Sequence, residues 1–84
     1  MNIEKQGAIK SLKTAKGQID GVIKMIDDGR YCVDISNQLL AVGALVKKSQ
    51  NLILKQHIRH CVTEAVVKGE QDKLDEIMTL IEKL

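Results

Sequence analysis

The 84-residue chain has no proline, no phenylalanine and no tryptophan, and it has one tyrosine. Without proline nothing forces a break in a helix interior. Leu, Ile, Val, Lys, Glu and Gln dominate instead, so the composition favours helix nearly everywhere and an all-α fold is expected. No stretch approaches the roughly 20 apolar residues of a membrane span, and the opening MNIEKQGAIK holds no apolar run of signal-peptide length. A cytoplasmic location is expected. A Gly-rich phosphate loop, paired carboxylates with a base and a nucleophile elbow are all missing, which argues against an enzyme. The formal charge of +2 is too small to demand a nucleic-acid partner, although lysines gathered on one surface would still make a basic patch. There are two cysteines, which in a reducing compartment point to ligands or redox-active thiols rather than a structural disulfide.

What is present is helical periodicity. Ile9, Leu12, Ala15, Ile19, Val22, Ile23 and Ile26 step by three and four, and Asp27, Asp28 and Gly29 then stop the first helix. Gly17 and Gly21, one turn apart, mark close approach of another backbone or are simply tolerated. From Tyr31 to Val67 no turn signal occurs, and Ile35, Leu39, Val42, Leu45, Val46, Leu52, Ile53, Ile58, Val62, Ala65 and Val66 predict one very long helix. Its stretch Leu39–Val46 is apolar all round and needs cover on more than one side. After Gly69, Leu74, Ile77, Met78, Ile81 and Leu84 predict a short third helix. A chain this small is stable most readily as an oligomer or with bound metal.

His57 and Cys61 are four residues apart, so they share one helix face. Cys32 is 25 residues before His57, roughly 38 Å along a straight helix, whereas a metal–sulfur bond is about 2.3 Å. An antiparallel second copy solves this, because a two-fold axis sets Cys32 of one chain beside His57 and Cys61 of the other. The midpoint falls near position 45, beside the small residues Ala41, Gly43 and Ala44. Two thiolates and one imidazole suit Cu(I) or Zn, with three donors favouring Cu(I) over a closed tetrahedral Zn site. Inert buried thiols are the plain alternative. His60 points away from Cys61 around the helix and is expected at the surface or at a second interface.

The run Leu12-Lys13-Thr14-Ala15-Lys16-Gly17-Gln18-Ile19-Asp20-Gly21, then Tyr31-Cys32-Val33-Asp34-Ile35, then His57-Ile58-Arg59-His60-Cys61 resembles the copper-sensitive operon repressor (CsoR) family of bacterial transcriptional regulators. The resemblance spans nearly all of the chain as one domain, residues 1–84. It implies a three-helix protomer with one long central helix, an antiparallel dimer and a dimer-of-dimers tetramer. It also implies a Cu(I)-sensing repressor that binds operator double-stranded DNA and is released when Cu(I) occupies Cys32, His57 and Cys61, freeing copper export genes. By the same resemblance Tyr31 and Glu76 support the ligands, Glu76 reaching the other ring nitrogen of His57 after a one-residue gap near Gly69. A carboxylate there would set the imidazole tautomer. The residues implied for DNA are Lys10, Lys13, Lys16, Lys47 and Lys48, which supply phosphate contacts rather than base readout. Ser11 stands where many members carry arginine, and Lys48 replaces another, so the contact map departs from the usual one. Two other readings stay open. A persulfide-sensing repressor would use the same two cysteines, and a copper or zinc carrier would have no DNA role.

Overall fold

A computed structural model of the chain describes residues 2–83, with the backbone and not the side chains at positions 61 and 62. Helix α1 spans Ile3–Asp27, α2 Cys32–His57, α3 Thr63–Lys68 and α4 Gln71–Glu82. A π turn over Ile58–Val62 links α2 to α3 inside one continuous helical run. Among the described residues there is no strand, and the architecture is all-α with a long central helix. None of the described helices is long and apolar enough to cross a membrane.

Local chemistry sets the boundaries. Asn2 caps α1, its side-chain oxygen accepting a bond from the Lys5 N–H at 2.8 Å. At the other end Gly29 takes φ +68°, with the Gly29 N–H donating to the Ile26 carbonyl and the Arg30 N–H to the Met25 carbonyl. This is a Schellman close, in which a left-handed residue lets two orphan carbonyls find donors. Gly69, at φ +72°, ends α3 the same way through the Gly69 N–H to Val66 and the Glu70 N–H to Ala65. Both stops lie where the sequence placed them. The carbonyl of Tyr31 receives the Asp34 and Ile35 N–H groups, so Tyr31 caps α2 and Cys32 is its first residue.

The chain divides into two compact units, Met1–Ile53 and Leu54–Leu84. In the first, α1 lies antiparallel to α2, with Ala15, Val22 and Val42 buried together and Ile35 and Leu45 packed on them. The contact line of α1 is built from small side chains, Ala8, Ser11 and Ala15, so the two backbones come close. Ser49, 3% exposed, sits in that seam and donates its hydroxyl to the Leu45 carbonyl at 2.9 Å, with the Ala8 carbonyl of α1 at 3.3 Å. The tight glycine of this crossing is Gly7, where an added Cβ would meet Leu52 Cδ1 at 3.2 Å. Gly17 and Gly21, by contrast, face open space within the chain. The bulky members of the α1 stripe remain half exposed: Ile9, Leu12, Ile19, Ile23 and Ile26 lie to one side of the small-residue seam. On α2 only part of the apolar stretch is covered, Val42 being buried while Leu40 stays 72% exposed.

In the second unit α4 packs against α3 and the π turn. Ile77 is the buried residue of α4 and Ala65 that of α3. Lys68 bonds Glu64 at 2.7 Å and Lys73 pairs with Glu70 at 3.0 Å. The hydrogen bond from Lys68 holds the Glu64 carboxyl below its usual range and raises Lys68 in turn. Both groups are solvated, so the pair adds little to stability.

Candidate metal centre

The three expected donors occupy different local settings. Cys32 is a free, exposed thiol at the first position of α2. His57 is the last residue of α2 and is half-buried. Cys61 lies in the π turn, and its side chain is outside the described residues. Among the described residues no three His, Cys, Asp or Glu side chains of the single chain gather as a metal site.

Tyr31 is 68% exposed beside Cys32, and its visible bonds are those of its backbone carbonyl. Glu76 is exposed on α4, the helix that packs against the π turn. No hydrogen bond joins Glu76 to His57 among the described residues. His60 is exposed, as its position on the helix predicted.

The donor chemistry fits a soft monovalent ion. Thiolate and imidazole together select Cu(I) or Zn over hard cations, and the chain carries two cysteines and a histidine at the spacing a shared site needs. Positions 57 and 61 are about one helical turn apart in the backbone, whether that turn is α or π. Periodicity alone could not reveal the π turn, because Ile58, Val62 and Ala65 read equally well as uninterrupted α-helix.

Lys10, Lys13, Lys16, Lys47 and Lys48 are all exposed, the first three on α1 and the other two on α2. In α1 the steps of three hold Lys10, Lys13 and Lys16 in one band, on the side away from Ala8, Ser11 and Ala15. That band holds three exposed ammonium groups and no aromatic side chain.

The model of one family, described as metal-sensitive transcriptional repressor, matches residues 4–83. A copper-sensing transcriptional repressor CsoR of Mycobacterium ulcerans (strain Agy99) is 35% identical over 79 residues, 93% of this chain and 68% of the relative. The protein of the same description from Bacillus subtilis (strain 168) is 35% identical over 81 residues, covering 95% of this chain and 80% of the relative. Among solved structures, the copper-sensing repressor CsoR with Cu(I) from Geobacillus thermodenitrificans NG80-2 superposes with a TM-score of 0.87. It is 36% identical, covering 99% of this chain and 88% of that one.

Proposed function

This chain belongs to the CsoR family of metal-sensitive transcriptional repressors, not to a family of enzymes, and from that membership we propose that it is a Cu(I)-responsive repressor of copper export genes. In this reading it holds operator double-stranded DNA when metal-free and leaves it when Cu(I) is bound by Cys32 of one protomer with His57 and Cys61 of another. Bound there, Cu(I) supplies a soft centre that ties thiolates and an imidazole from two chains into one unit. The observation that carries the proposal is the placement of the donors: Cys32 opens α2, His57 closes it, and Cys61 follows one turn later.

The chain's own residues divide the work. Cys32 offers an accessible thiol at a helix start, and His57 presents one ring nitrogen to the site while the other is free to take a carboxylate. Glu76 on α4 is the carboxylate proposed for that role, which would tie metal occupancy to the position of α4. Tyr31 stands beside Cys32 to hydrogen-bond at the same site. Lys10, Lys13, Lys16, Lys47 and Lys48 make phosphate contacts, giving affinity that falls with salt. The half-exposed apolar side chains of α1 and α2 support assembly into an antiparallel dimer and then a tetramer, since such area is seldom left open on a monomer.

The test is an anaerobic Cu(I) titration with operator binding read in parallel. One Cu(I) per protomer should bind with thiolate-to-copper absorption, and operator affinity should fall. Cys32→Ala or Cys61→Ala should abolish the absorption, and His57→Ala should weaken binding. The exposed thiol of Cys32 favours one second reading, a repressor that answers to sulfane sulfur. A covalent Cys32–Cys61 dimer formed by a persulfide donor, together with operator affinity indifferent to Cu(I), would replace the copper reading with that one. A metal carrier would show no salt-dependent operator binding at all.

A further inference from the structure

The far side of α1 carries a pattern that packing within the chain does not require. Lys13, Lys16, Asp20 and Lys24 are all exposed there, on steps of three and four residues, opposite the buried line of Ala8, Ser11, Ala15 and Val22. Asp20 therefore stands one turn from a lysine on either side, inside the lysine band proposed to face phosphate. Carboxylates so placed ordinarily pair along a helix, yet neither Lys16 nor Lys24 closes on Asp20 in the structure. Gly17, three residues before Asp20, and Gly21, directly after it, are exposed on the same side. A Cβ added at either glycine would meet nothing within 4 Å. Glycine weakens a helix interior, and no contact within the chain asks for one here.

We propose that Asp20 is the base-reading residue of this face, accepting a hydrogen bond from a cytosine amino group while Lys13, Lys16 and Lys24 hold the phosphates around it. The proposal rests on the repressor reading given above and adds to it the sequence preference that phosphate contacts do not carry. An ionised carboxylate only accepts hydrogen bonds. It has nothing to offer a phosphate, so on a surface docked to DNA it either opposes binding or meets a base amino group. In the major groove cytosine N4 is the donor that an aspartate takes, and that groove, about 12 Å wide, admits a helix. Aspartate is short and lysine long, so a helix held off at lysine length would leave Asp20 clear of the base edges. Bare backbone at Gly17 and Gly21 lets α1 come closer beside Asp20, and the flexible lysines swing out to phosphate. A second copy meeting this face with its own would set lysines against lysines, so charge complementarity selects DNA as the occupant.

The test is selection of a binding site from a random-sequence double-stranded DNA pool by metal-free protein, run with the parent, Asp20→Ala and Asp20→Asn. The parent should enrich a site with a fixed C·G position, and Asp20→Ala should lose the preference at that position alone. Asp20→Asn should move it to A·T, because an amide pairs with adenine N6 and N7. In titrations, exchanging that base pair should cost the parent roughly 5- to 150-fold in affinity and Asp20→Ala less than about twofold. Asp20→Ala should bind a scrambled duplex of the same length at least as tightly as the parent, since a negative charge facing phosphate has gone. Gly17→Leu should keep or raise the parent's Tm yet lose the base preference as Asp20→Ala does, because it holds Asp20 off the groove. The inference is overturned if the Asp20 variants enrich the parent's sequence, or if both gain affinity for selected and scrambled duplexes alike. Retention of the preference by Gly17→Leu also overturns it, and so does a changed sedimentation profile for Asp20→Ala, which would put Asp20 between copies. The repressor reading fails separately, when the parent itself enriches no site.

Discussion

Ser49 shows how much a single hydroxyl can decide. It is buried between α1 and α2, and its donation to the Leu45 carbonyl, with the Ala8 carbonyl beside it, keeps a polar group satisfied in the seam. Ser49→Ala removes the bond and should cost about 1 kcal/mol in chemical denaturation. Ser49→Leu forces the seam apart and should cost more, about 1–3 kcal/mol. An equal loss in both variants would mean that α1 does not rest on α2 there. Gly29 is a second such position, because its φ of +68° closes α1 and no side chain adopts that region freely. Gly29→Ala should lower stability by about 1–2 kcal/mol, readable as a lower Tm.

At the scale of the element, α1 has two contrasting faces. Small residues face α2, and Lys10, Lys13 and Lys16 stand on the far side. Because phosphate contacts release counterions, Lys13→Ala should weaken operator binding across sequences and lower the salt slope by about one. A change in base preference without a change in slope would show that Lys13 reads bases instead. The helix also explains why its apolar stripe misleads as a guide to the core. Ala15 and Val22 of the stripe are buried against α2, yet Ile9, Leu12, Ile19, Ile23 and Ile26 stay half exposed, because close packing selects the edge of the stripe that runs through Ala8, Ser11, Ala15 and Val22. Periodicity reports a face but not which of two adjacent lines meets the partner helix.

At the scale of the whole molecule, the apolar side chains left open on α1 and α2 are the area that the proposed dimer and tetramer would cover. Leu40, on the all-round apolar stretch of α2, is 72% exposed in the single chain. Leu40→Glu should therefore yield smaller species in analytical ultracentrifugation and a reduced Tm, while the parent's Tm rises with protein concentration. An unchanged sedimentation profile would place the interface elsewhere. The same assembly would be needed to complete the proposed site, so the variant should also lose thiolate-to-copper absorption.

The helical class, both glycine stops and the family were legible from composition, spacing and the words around Cys32, His57 and Cys61. Those properties are local: they depend on residues within a turn or two of each other, which the order of amino acids specifies directly. The gap of 25 residues between Cys32 and His57 likewise points beyond one chain from the sequence alone. Tertiary structure alone decided which line of α1 is buried, that Ser49 and Gly7 form the crossing, and that the long helix carries a π turn at the proposed ligands. Each of these depends on how closely two surfaces fit or on a small difference between two backbones, and residue spacing is the same in either case.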